Sequence, residues 1–113
     1  IAAYGSAAPG VIEMEKKARK NETSARLTRI DAMEQNWPAI EALRKDLPSS
    51  AYVKELLEGL GSPSLPAQID VDKELLKNTF LYCKEVRARY TILQMVWDLG
   101  LLDSLSDEVI AGL

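Results

Sequence analysis

Apolar residues recur along this chain every three to four positions, in short blocks closed by proline, glycine or a capping residue. That spacing is the mark of amphipathic helices. Val11–Lys20 reads as a short helix entered through Pro9, with Glu13/Lys17 and Glu15/Arg19 as i,i+4 pairs in the favoured acid-first order. The small, apolar Ile1–Ala8 before it reads as the tail of an earlier helix. A break at Asn21–Ser24 follows, where Thr23 or Ser24 is the expected N-cap. Leu27, Ile30 and Met33 then continue at helical spacing. At Trp37-Pro38 two readings stay open: a new helix with Pro38 in its first turn, or one long kinked helix.

Further along, Ile40, Leu43 and Leu47 share a face up to Pro48, and Ser49 or Ser50 caps the next helix. Its stripe is Val53, Leu56, Leu57 and Leu60, and Gly61 is placed as a left-handed C-terminal cap. Ser62–Gln68, with two prolines, is a loop. Asp72 is the expected N-cap of a helix from Lys73, with Val71 and Leu76 as a hydrophobic staple. That helix should bury Leu76, Phe80, Cys83 and either Val86 or the stem of Arg87. Thr91 heads a capping-box sequence, so a break is expected near Tyr90. Ile92, Met95, Val96 and Leu99 form a stripe that Gly100 ends, and Ser104 or Ser106 starts a last short helix. Alternating strand patterns and hairpin turns are nearly absent. The expected fold class is all-α, a single bundle of five to seven helices over residues 1–113.

Composition narrows the function classes. The net charge of -3 argues against nucleic acid or an anionic membrane as partner, since both require a dominant positive field. No apolar run approaches the roughly 18 residues of a membrane span, and no secretory signal is visible. The single cysteine, Cys83, fits a reducing compartment, so a cytoplasmic location is expected. The chain opens on Ile1, as a piece of a longer protein would.

Histidine is absent. That removes the usual zinc and iron sites and any Ser-His or Cys-His pair. No phosphate-cradling glycine motif is present either, so no catalytic, cofactor-binding or metal residue is assigned within the chain. Lys16, Lys17, Arg19 and Lys20, interleaved with Glu13 and Glu15, read as a solvated helix face. Cys83 reads as a small buried hydrophobe, and Trp37 and Trp97 as core or interface anchors.

The densest segment is Lys84–Leu93. Functionally, Arg87, Arg89 and the amides after Thr91 would meet an anion. Structurally, the cations close one helix, Thr91 caps the next, Tyr90 and Ile92 pack inside, and Arg87 and Arg89 pair along neighbouring helices. The structural reading is preferred.

This segment, Glu85-Val86-Arg87-Ala88-Arg89-Tyr90-Thr91-Ile92-Leu93, resembles a stretch near the C-terminus of sn-glycerol-1-phosphate dehydrogenases. The resemblance extends to Phe80-Leu-Tyr-Cys-Lys84 before it and Trp97-Asp-Leu-Gly-Leu-Leu102 after it. Trp37, Leu47-Pro48-Ser49 and Leu60-Gly61-Ser62-Pro63 fall in the same order, so most of Val11–Leu102 is covered. Pro38 departs from the uninterrupted helix expected after the tryptophan. The family resembles iron-containing alcohol dehydrogenases and dehydroquinate synthase, with an N-terminal nucleotide-binding domain, a C-terminal helical domain and an active site between them. The resemblance implies that residues 1–113 are a fragment of that helical domain, walling the cleft and inactive alone. It implies a parent oxidoreductase that reduces dihydroxyacetone phosphate to sn-glycerol 1-phosphate for phospholipid biosynthesis. NAD(P) and a divalent metal, zinc or nickel, would be its cofactors; the upstream nucleotide-binding domain would be this chain's partner, in a homo-oligomer. The family's metal ligands, an aspartate and two histidines, have no counterpart here. Arg87, Arg89, Tyr90 and Thr91 are the family-motif positions that do. The alternative is a stand-alone helical protein-interaction module.

Overall fold

A computed structural model describes residues 2–113. Among them are seven α-helices and no strand: α1 (Ala8–Ala18), α2 (Thr23–Gln35), α3 (Trp37–Arg44), α4 (Ser50–Gly59), α5 (Lys73–Tyr82), α6 (Ile92–Asp98) and α7 (Leu102–Ala111). Short 3-10 turns lie at Ala2–Ala7, Pro66–Ile69 and Cys83–Glu85. The expected all-helical class holds. Of the opening segment, Ile1 lies outside the described residues, Ala2–Ala7 is a 3-10 turn broken at Gly5, and Ala8 opens α1.

Element boundaries follow the capping chemistry. Ser49, Asp72 and Thr91 cap α4, α5 and α6, accepting from the backbone N–H of Tyr52 (3.1 Å), Leu75 (2.7 Å) and Gln94 (3.4 Å). Gly61 and Gly100 take φ of 69° and 75° after α4 and α6. Ser62 N–H reaches Leu57 O and Leu101 N–H reaches Val96 O, so both ends are Schellman caps. Pro38 sits in the first turn of α3, which makes α2 and α3 separate helices.

Four expected starts and pairs are corrected. Thr23 and Ser24 lie inside α2; its N-cap is Glu22, whose carboxylate accepts from Arg19 Nε at 2.6 Å instead of capping. Arg19 itself turns left-handed (φ 52°) and ends α1, so Glu15/Arg19 is no helical pair, and Glu15 lies 3.7 Å from Lys20 Nζ. Glu13 and Lys17 form no ion pair among the described residues. The last helix starts at Leu102, because the Gly100 cap hands the chain straight on. Ser104 and Ser106 are interior positions whose hydroxyls donate back to the carbonyls of Leu101 and Leu102.

The tightest packing joins α5 to α7. Leu102, Ser106 and Ile110 form the buried stripe of α7, and Lys77 of α5 reaches Asp103 at 2.8 Å and Asp107 at 2.5 Å. At the other end, Tyr4 Oη donates to the carbonyl of Tyr82 at 2.6 Å and ties the N-terminal turn to α5. Yet little apolar surface is enclosed. The buried hydrophobic residues described are Ala8, Val11, Met33, Leu102 and Ile110. On α3 and α4, Leu43, Leu47, Leu56 and Leu60 are exposed, Leu60 to 71%. The radius of gyration is 16.3 Å, where a compact domain of this length measures about 13 Å. The accessible surface is 8506 Å² for 12.5 kDa, against about 6,200 Å² for a compact monomer of that mass.

A buried charge network as candidate functional site

The interior of this fold is polar where the sequence pattern promised an apolar stripe. On α6, Ile92 is 68% exposed and Leu99 also faces solvent, while Gln94 and Asp98, one turn apart, are buried. Asp98 is 0% exposed. A carboxylate so placed needs every lone pair met, since burying it uncompensated is prohibitive.

The neighbours supply the donors. Arg29 of α2 grips Asp98 as a fork, Nε to Oδ2 at 2.6 Å and Nη2 to Oδ1 at 2.7 Å. Tyr90 Oη donates to Oδ2 at 3.1 Å and Gln94 Nε2 to Oδ1 at 3.3 Å. One turn back on α2, Arg26 Nε donates to the carbonyl of Asp98 at 2.7 Å. Burial by itself would raise the Asp98 carboxyl, but the bonds from Arg29, Gln94 and Tyr90 outweigh it and hold the group below the usual carboxylate range. Burial, then Asp98, push the Tyr90 phenol up to about 12, so it stays a donor at neutral pH.

A second knot adjoins the first. Asn21 accepts from Gln94 Nε2 at 3.2 Å and donates to the Glu85 carboxylate at 3.0 Å. Glu85 also holds two ammonium groups, Lys20 at 3.2 Å and its neighbour Lys84. Lys20 donates to the carbonyls of Lys84 and, at 3.3 Å, of Arg87. Lys20 is therefore no part of a solvated face, although Lys16, Lys17 and Arg19 are exposed. The Lys84 ammonium lies 4.4 Å from the centre of the Trp97 ring, and the Arg26 guanidinium 5.3 Å from it. Burial, and the nearby Lys20 cation, bring Lys84 down to about 8.

Of the expected motif positions, the structure joins two to this network. Tyr90 bonds Asp98 although its ring is half exposed, and Thr91 caps α6. Ile92 is not packed inside, because α6 turns its polar side inward. Arg87 and Arg89 are exposed and, among the described residues, make no side-chain ion pair, contrary to the pairing expected of them. Arg87 contributes only its carbonyl, while Arg89 lines a hollow of 360 Å³ with Lys20, Arg29 and Tyr90. Cys83 is exposed and Val86 half exposed; at the Cys83–Glu85 turn the interior place goes to Lys84, drawn to Trp97 and Glu85. Phe80 is half-buried. The sequence signal for the network was the interruption of an apolar run by Gln94 and Asp98 at i,i+4, opposite cations at Arg26 and Arg29.

Chemically the network is a clamp. Both Asp98 oxygens are engaged, and no nucleophile sits beside a base. The described residues contain no group of three or more His, Cys, Asp or Glu side chains that could hold a metal ion. No described helix is long and apolar enough to cross a membrane.

Over 67 residues, 59% of this chain, the sequence is 31% identical to a protein of Bacillus licheniformis named glycerol-1-phosphate dehydrogenase, NAD(P)+. The chain is related to glycerol-1-phosphate dehydrogenase. The matched region is 17% of that enzyme's length, so the chain corresponds to a small part of it. No family model matches the chain, and no solved structure does.

Proposed function

We propose that this chain is the distal part of the C-terminal helical domain of a glycerol-1-phosphate-dehydrogenase-like oxidoreductase. The observation that carries the reading is the 31% identity to the Bacillus licheniformis protein, whose name supplies the activity and the nicotinamide cofactor. The clamp supports it from the physical side. Arg29, Asp98, Tyr90 and Gln94 hold α2, the 83–91 segment and α6 in fixed relation and leave no group for chemistry. Its job is to wall a cleft whose catalytic side, with the nucleotide and a divalent metal, lies in the rest of the polypeptide. The parent would work in the cytoplasm as a homo-oligomer, reducing dihydroxyacetone phosphate to sn-glycerol 1-phosphate.

The test is an assay of this chain beside the natural polypeptide that contains it, with dihydroxyacetone phosphate and NADH or NADPH. The chain alone should show no turnover and no stoichiometric zinc or nickel binding tighter than about micromolar, about -8 kcal/mol. The whole polypeptide should turn over. A natural polypeptide of this length only, or a longer one that ignores the substrate, removes the reading. In the first of those cases the exposed apolar faces favour the second reading, a helical interaction module.

A further inference from the structure

One hollow of 360 Å³ has cations in its wall and no carboxylate. Lys20, Arg29 and Arg89 line it with Tyr90 and Gln94, and the small side chains of Ala32 and Ala88 leave the room. The hollow beside Trp97, by contrast, sets Arg26 and Lys84 against Glu85 and Asp103. Two of the three cations are already balanced, Lys20 by Glu85 and Arg29 by Asp98. Arg89 is exposed and makes no ion pair or side-chain hydrogen bond among the described residues. Arg29 also has donors to spare. Of its five N–H groups, three on Nε and Nη2 go to the Asp98 carboxylate and the carbonyl of Lys20. The two on Nη1 make no bond among the described residues. The Asp98 fork, with the Tyr90 ring centre 5.6 Å away, fixes that guanidinium before any ligand arrives. The wall holds an acceptor as well: Gln94 is 1% exposed, and its Oε1 is buried without a partner among the described residues. Buried polar atoms are almost always paired, so this one is suited to a donor.

We propose that this hollow binds a phosphate-type oxyanion, held by the Arg89 guanidinium and the unbonded edge of Arg29. The choice of phosphate over carboxylate follows from shape. A carboxylate has two coplanar oxygens, which a single guanidinium fork satisfies. A tetrahedral phosphate offers oxygens in several directions, to Arg89 at the exposed rim and to Arg29 in the wall, and hydrogen phosphate keeps an O–H for Gln94. The volume lies at the small end of ligand sites, which suits a phosphate ion or the phosphate end of a small ester. The site is made by this chain's own residues, so the proposal goes beyond the reading above and does not depend on it.

The test is equilibrium dialysis of radiolabelled inorganic phosphate against the natural polypeptide that carries these residues, with ionic strength held constant by sodium chloride. Phosphate should bind with a dissociation constant at or below about 1 mM. Arg89→Ala should weaken it at least about tenfold, as the loss of one charge-assisted hydrogen bond does. Arg89→Lys should restore it only in part, because lysine lacks the planar fork. Ala32→Leu changes no charge at an exposed helical position but fills the hollow, and should weaken binding as much. If that variant fails to fold, Ala88→Leu fills the hollow from its other wall. Arg87→Ala removes the same charge two positions away, outside the hollow, and should change binding by less than about twofold in a screening salt. Absence of phosphate binding overturns the proposal. So do equal losses in Arg87→Ala and Arg89→Ala, which reduce it to a general field. Binding that Arg89→Ala and Ala32→Leu leave intact overturns it too, since the phosphate then sits elsewhere. Competition with glycerol phosphate separates the two sources. Displacement at lower concentration than inorganic phosphate itself assigns the site to an ester, and weaker displacement assigns it to the free ion. The dehydrogenase assay reads the earlier proposal on its own: turnover without this binding sinks only the hollow, and binding without turnover sinks only the activity.

Discussion

At Asp98 a single side chain determines whether α6 stays seated. Removing one partner of a buried ion pair strands the other, which costs about 3–5 kcal/mol. Asp98→Asn should lose that much in urea titration, and acid should do the same to the native protein. Its folded carboxyl lies below its unfolded value, so the stability it contributes is present at neutral pH and is lost as pH falls through the folded value. Lys84 works in the opposite sense. Its ammonium is brought down to about 8, so the unfolded chain binds the proton more tightly, and stability rises between about pH 8 and 10.5. Tyr90, pushed up to about 12, erodes stability above about pH 10. The Lys84 step has its own reporter in Trp97. In a Trp37→Phe background the tryptophan emission should titrate near pH 8, and Lys84→Met should abolish that transition. Arg87→Ala and Arg89→Ala should each shift stability by less than about 0.5 kcal/mol, as exposed side chains do. If either raises the Michaelis constant of the whole enzyme without lowering its melting temperature, that arginine reaches the cleft.

Among the elements, the helix ends carry the sequence's clearest information. Thr91→Ala should cost about 1 kcal/mol, the usual value of a lost N-cap. Gly100→Ala should cost about 1–2 kcal/mol from its left-handed backbone, since the added methyl would meet Arg26 at an ordinary 3.7 Å. Half-buried Phe80, changed to alanine, should cost less than the about 3–5 kcal/mol of a fully buried phenylalanine. The caps at Ser49, Asp72, Thr91, Gly61 and Gly100 were legible because each is a local bargain between a side chain or a left-handed residue and the nearest free amides or carbonyls. The ends set by distant partners were not legible. Lys84 displaces Cys83 from the interior because the Trp97 ring of α6 receives its ammonium, alongside the adjacent Glu85. For the same reason α6 was read on the wrong face. Hydropathy marks Ile92 and Leu99 as inward, but Arg29 and Asn21, about seventy positions away, turn Gln94 and Asp98 to the inside.

For the molecule as a whole, the seven helices of the described residues enclose a charge network and leave Leu43, Leu47, Leu56 and Leu60 in solvent. Apolar surface on that scale marks an interface more than a finished exterior. On the proposed reading the chain is one wall of a larger body, held at its Arg29–Asp98 clamp and open at its apolar faces. The most direct test of that central claim is the turnover of the natural polypeptide with dihydroxyacetone phosphate and NADPH or NADH, measured intact and with these 113 residues deleted. The account predicts turnover in the intact protein and none after the deletion. Turnover that survives the deletion, or an intact protein with none, contradicts it.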